Sequence, residues 1–128
     1  MHEKIPNERE NKIQRSIVVR LERLGVKLWR RNVGVMRKDN RFIRFGSPGQ
    51  SDLWGIDHLF HRHWEIETKR PGNRPTACQL LWLKEMSHLG CVAFWTDSAN
   101  VAEQVAEAIL DGGRIVWHNN DDFDVGML

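Results

Sequence analysis

Cysteine is scarce in this chain. Only Cys78 and Cys91 occur among 128 residues, too few for a disulfide framework, so a reducing cytosol is the expected compartment. Three histidines, His58, His61 and His63, stand with them, but the close paired spacing of a tetrahedral zinc site is missing. The two thiols are therefore expected in the core. Long apolar runs are also absent, which excludes a membrane-spanning helix, and "MHEKIPNERENK" holds no secretory apolar segment. No internal repeat or long linker divides the sequence. Residues 1–128 are expected to form one domain with its core at about 7–117.

Charge is unevenly distributed. Residues 1–96 carry eighteen Lys and Arg against ten Asp and Glu; residues 97–128 carry Arg114 alone against seven acids. The densest basic stretch is "KLWRRNVGVMRKDNRFIR", where Lys27, Arg30, Arg31, Arg37, Lys38, Arg41 and Arg44 face only Asp39. Such a patch draws polyanions, and Lys and Arg contacts to phosphate usually dominate nucleic-acid affinity; a solvated face of a slightly basic protein reads equally from charge alone.

The periodicity gives an order of elements. Ile13, Ile17, Leu21 and Leu24 make one helical stripe from Asn7 to about Leu24, with Asn7 and Glu10 spaced as a capping box and Gly25 as the stop. "VKLWRRNVGV" and "RFIRF" read as strands around the polar turn "RKDN", and "DLWGIDHLF" and "HWEIETK" as a tightly joined pair. A helix is expected from Thr76 to about Leu89, then the strand "CVAFWT", then a helix from Asp97 to Leu110. "RIVW" reads as a last strand before the chain frays through "HNNDDFD". In the second helix Trp82, Leu83, Met86 and Leu89 are expected in the core. Helix, strands, helix, strand, helix implies an α/β fold with a mixed sheet flanked by helices.

One strand carries an unusual polar face. In "HWEIETKRPG" the side-chain period of two sends Trp64, Ile66 and Thr68 one way and Glu65, Glu67 and Lys69 the other. Asp52 opens the preceding strand after the loop "GSPGQS", and a register that sets it beside Glu67 is available. Two adjacent carboxylates repel, and a hard divalent cation such as Mg²⁺ or Mn²⁺, which prefers carboxylate and water oxygens, relieves that repulsion. Lys69 on the same face can orient a water and steady charge on a phosphate. Glu-x-Lys is also the pattern of an ordinary cross-strand salt bridge. Glu10 falls on the core-facing stripe of the first helix, where a carboxylate is costly unless paired or metal-bound; a first-turn cap is the alternative, and the stripe position favours a functional role. Gln79 has two readings too, since Thr76-x-x-Gln79 is a capping-box spacing. "GSPGQSD" lacks the spacing of a P-loop, and its glycines suit close backbone approach. Trp29 and Trp54, beside the basic strand and the site, are the better candidates for stacking on bases, though packing is the plainer reading of both.

Taken together, "FGSPGQSDLWGI", "WEIETKRPG" and "PTACQLLWL" resemble the virus-type replication-repair nuclease (VRR-NUC) family of the PD-(D/E)xK superfamily, from about Glu10 to Ala108. The resemblance implies a restriction-endonuclease-like core. Asp52 and Glu67 would be metal ligands, Glu10 a further ligand through water, Lys69 the catalytic lysine, and Gln79 a supporting residue. It places the ligand at Glu67, so Glu65 is expected in solvent. DNA would be held by Arg30, Arg31, Asn32, Arg37, Lys38, Arg41, Arg44 and Arg70. Implied for the whole is a Mg²⁺- or Mn²⁺-dependent DNA endonuclease acting on branched DNA such as Holliday junctions or flaps. It would act as a homodimer, with no membrane association, in the cytoplasm or nucleoid of a bacterial or phage-infected cell. The rival readings are a DNA-binding module that does not cut, and a nuclease subunit of a larger repair or restriction assembly.

Overall fold

The computed structural model describes residues 8–31, 34–45, 49–117 and 123–127. Its elements are α1 (Glu8–Arg23), β1 (Val26–Arg30), β2 (Gly34–Lys38), β3 (Arg41–Phe45), β4 (Leu53–Asp57), β5 (His63–Thr68), α2 (Ala77–His88), β6 (Val92–Thr96), α3 (Ala99–Leu110), β7 (Gly113–Trp117) and β8 (Phe123–Met127). The main sheet runs β1-β4-β5-β6. β1, β4 and β5 are antiparallel neighbours, while β6 joins β5 in parallel after the α2 crossover, so the sheet is mixed. The expected α/β architecture is the one observed.

One face of this sheet makes the core. Ile17 and Leu21 of α1 and Ala102, Ala106 and Ile109 of α3 pack onto Val26, Leu28, Leu53, Trp64, Ile66, Val92 and Phe94. Each large side chain so buried contributes about 1.5–3 kcal/mol. Trp64 meets Phe94 edge-on at 6.3 Å between centroids, and its indole N–H donates to the buried Asp57 at 2.8 Å. Asp57 also accepts from the Phe60 N–H, which closes the β4–β5 turn. The opposite face of β5 and β6 is covered by α2, on which Leu83 is fully buried.

Some boundaries differ from the sequence expectation. "VKLWRRNVGV" is two strands, not one: β1 pairs with β4 in the main sheet, whereas β2 pairs with β3 in a separate two-stranded sheet. Asp39 and Asn40 both have positive φ, 52° and 61°, as a two-residue hairpin turn requires. Beyond "RIVW", β8 pairs antiparallel with β7 from Phe123 on, so the last two residues of "HNNDDFD" are in a strand where fraying was expected; residues 118–122 lie outside the described residues. The expected N-cap Asn7 lies outside the described residues. Cys78 is exposed in the first turn of α2 and Cys91 is partly buried, so neither is a core thiol. Leu89, at the helix end, is exposed as well. Gly55 allows β1 and β4 to approach closely, since a Cβ there would sit 1.9 Å from the Lys27 carbonyl oxygen.

Candidate active site

The β4–β5 register brings the predicted acids together. Leu53 pairs with Ile66, so Asp52, one residue before, stands across from Glu67, one residue after. Asp52 is fixed there by Thr68, whose backbone N–H (3.1 Å) and hydroxyl (2.8 Å) both donate to Asp52 Oδ2. Thr68 is oriented in turn by Gln14 of α1, whose Nε2 donates to its Oγ1 at 2.8 Å. Lys69 follows at the strand end, its Nζ 3.4 Å from Glu67 Oε2. From α1, one helical turn before Gln14, Glu10 accepts the Arg70 N–H and lies within the field of Asp52 and Lys69. Glu10, Asp52, Glu67 and Lys69, from three separate parts of the chain, thus share one end of the sheet.

Electrostatically the site is loaded. Glu67 is only 2% exposed and Lys69 14%. Burial, then the charge of Asp52, pushes the Glu67 carboxyl up to about 9, against the pull of Lys69. Glu10 is raised for the same two reasons, with Lys69 and Arg70 opposing. Glu67 Oε1 is buried with no hydrogen-bond partner. A buried acceptor without a donor is costly, and a cation satisfies it. Among the described residues no group of three His, Cys, Asp or Glu side chains is placed to hold a metal ion by itself. Asp52 and Glu67 instead offer two carboxylates, the donor set with which Mg²⁺ is commonly held while keeping several waters. The residues present therefore fit a hard divalent cation.

Glu65 overturns the expectation of a solvated side chain. It is fully buried, and Arg31 grips it with two hydrogen bonds of 2.7 and 3.0 Å. The Trp82 indole N–H donates at 2.9 Å and His63 Nε2 is a third partner. Burial alone would raise its carboxyl, but these donors and the Arg31 charge hold it below the ordinary range. Period-two alternation correctly put Glu65 beside Glu67; it missed α2, which closes over that face. The same network engages Arg31, a predicted DNA contact: its side chain is 16% exposed and its guanidinium is committed to Glu65 and the Ser51 carbonyl.

Gln79 completes the capping box. Its Oε1 accepts from the Thr76 N–H (2.8 Å) while Thr76 Oγ1 accepts from the Gln79 N–H (3.2 Å). In this arrangement the carboxamide oxygen serves the helix start. Gly49, with φ of 83°, lies close against α2, since a Cβ there would lie 2.6 Å from the Cys78 carbonyl oxygen. Arg30 donates to Asn11 of α1 at 2.8 Å. Arg70 is exposed beside the acids, and Arg41 is exposed on the β2–β3 hairpin. Asn32 and the side chains of Arg37, Lys38 and Arg44 lie outside what is described. Gln14 and Thr68 were missed as site residues. The signal available for Gln14 was a polar residue four after Glu10, on the stripe facing the sheet.

No protein-family model matches the chain, and no curated relative matches it. A solved structure described as a VRR_NUC domain superposes with a TM-score of 0.56 at 21% sequence identity, over 77% of this chain and 95% of that one. The chain has the fold of that domain.

Proposed function

We propose that this protein is a nuclease of the VRR-NUC type that hydrolyses phosphodiester bonds in DNA with the aid of Mg²⁺ or Mn²⁺. The observation that carries the reading is the buried Glu67 beside Asp52, with the Lys69 ammonium 3.4 Å from its carboxylate. An exposed structural pair is screened by water and a buried one, like Glu65 with Arg31, has its oxygens satisfied. Buried Glu67 beside half-buried Asp52 keeps one oxygen without a partner, which a ligand would satisfy. Asp52 and Glu67 would hold the cation, with Glu10 reached through water. When bound, the cation supplies Lewis-acid polarisation of the phosphate and a more acidic attacking water. Lys69 holds a positive charge where the phosphate's negative charge builds up. Gln14 and Thr68 fix Asp52, and the Glu65–Arg31–Trp82 network holds β1, β5 and α2 in register around the site.

The finer reading is an endonuclease selective for branched DNA, working as a homodimer. A single small site cuts one strand, so paired incisions favour a two-fold assembly. Purified protein is to be incubated with four-way junction, flap and linear duplex DNA, with EDTA, Mg²⁺ or Mn²⁺. Cleavage that needs metal, is greatest on branched DNA and is lost in Asp52→Ala and Lys69→Ala is the expected result. Undiminished metal-dependent cleavage by either variant removes this site from the reaction. Salt-sensitive DNA binding without cleavage in either metal would leave a binding module.

A further inference from the structure

The face of the sheet that bears Asp52 and Glu67 is covered by α2 over β5 and β6; among the described residues no helix covers it over β1 and β4. From that open half a row of three rings runs across β1 and β4 to the first residue of β5. Trp29 of β1 stacks on its cross-strand partner Trp54 of β4, with centroids 4.8 Å apart and planes 27° from parallel. Trp54 continues onto His63 of β5 at 6.0 Å and 21°. The row lies opposite the α1–α3 core, and the indoles remain 42% and 37% exposed. Large aromatic rings left together in water on a sheet face mark a contact surface.

Charge and position select the occupant. Lys27, on the same strand and face as Trp29, places its ammonium 5.6 Å from the Trp29 ring centroid while pairing with Glu22 at 3.1 Å, an exposed pair that water screens and a phosphate can compete with. Trp29 ends the row at the edge strand of the sheet, where a further flat ring can extend the stack beside that cation. A nucleobase carries both a flat π-face and, through its phosphate, the matching negative charge. Trp54 precedes Gly55 on β4 and lies two residues from Asp52 on the same face, about 7 Å along the strand. The row and the acidic site are thus within reach of one nucleic-acid strand. In a duplex the faces of the bases are occupied by their neighbours, so only unpaired nucleotides can use the row.

We propose that the Trp29–Trp54–His63 row is a stacking subsite for unpaired nucleotides flanking the bond held at Asp52 and Glu67. Its adjacency to a cleaved bond rests on the nuclease reading; the binding does not. The test measures binding by the full chain in EDTA, through tryptophan fluorescence and the anisotropy of labelled twelve-residue strands. Oligo(dT) is compared with an abasic phosphate strand of equal length and charge, and with oligo(rU) to separate DNA from RNA as the source of the bases. A base-bearing strand is expected to bind roughly tenfold more tightly than the abasic one. That preference is expected to vanish in the Trp29→Ala/Trp54→Ala double variant and to persist in Trp29→Phe, with far-UV circular dichroism confirming that each is folded. Equal affinity for based and abasic strands overturns the proposal. So does a double variant that keeps the base preference, or one whose only change is a shift from dimer to monomer in sedimentation, which would make the row an interface between copies. A base preference without any metal-dependent cleavage would sink the nuclease reading alone.

Discussion

Replacing Glu67 by glutamine should make the metal-free protein more stable at neutral pH. Its carboxyl is held at about 9 in the fold against 4.5 ordinarily, because burial and the neighbouring Asp52 disfavour the charge. The sign follows from the raised value. Below pH 4.5 the group is neutral in both folded and unfolded chains and imposes no cost. Between 4.5 and 9 the unfolded chain ionises while the folded one stays protonated, and stability falls by about 1.4 kcal/mol per pH unit. Above 9 the loss is complete. At pH 7, about 2.5 units into that window, the penalty is about 3 kcal/mol. Glutamine keeps the shape and carries no titrating proton, so Glu67→Gln should recover most of it, a rise in Tm on the order of 10 °C. Lys69 loses little, because its partner is already neutral at that pH. The assay is denaturant unfolding in EDTA at pH 4.5, 6, 7 and 8, with the gain expected to grow along the series. A gain independent of pH, or a loss at every pH, would refute the electrostatic account of the site.

Metal binding should reverse that preference: Mg²⁺ or Mn²⁺ must displace the Glu67 proton, so apparent affinity by titration calorimetry should rise about tenfold per pH unit between 5 and 9, with proton release, and be lost in Glu67→Gln. Arg31→Ala should cost about 3–5 kcal/mol in urea unfolding, because it strands the buried Glu65 carboxylate. Gly55→Ala should destabilise by more than the roughly 1–3 kcal/mol of ordinary overpacking, since the obstructing atom is the Lys27 backbone oxygen; a melting temperature unchanged from wild type would contradict the strand spacing. Thr76→Ala should cost about 1 kcal/mol through the lost cap. Comparing its cleavage rate with that of Gln79→Ala separates capping from chemistry: equal losses leave Gln79 as a cap only.

The sequence by itself determined the local pieces. The stripe of Ile13, Ile17 and Leu21 makes α1 a sheet-facing helix, and Thr76 and Gln79 start α2 through chemistry confined to four residues. Alternation sends Trp64, Ile66 and Thr68 to one face of β5 and Glu65, Glu67 and Lys69 to the other. These are short-range consequences of helical and strand periods, so a linear reading reaches them. Tertiary structure decided what each face meets. Nothing local to "HWEIETK" says that α2 folds over it, burying Glu65 with Arg31 and Trp82, or that Glu67 keeps one buried oxygen without a partner beside Asp52. Nor does "VKLWRR" say that its strand ends at Arg30 and leaves Trp29 stacked on Trp54 at an open edge. Solvation, pairing and proton affinity depend on neighbours brought from elsewhere in the chain, and a local pattern does not contain those neighbours.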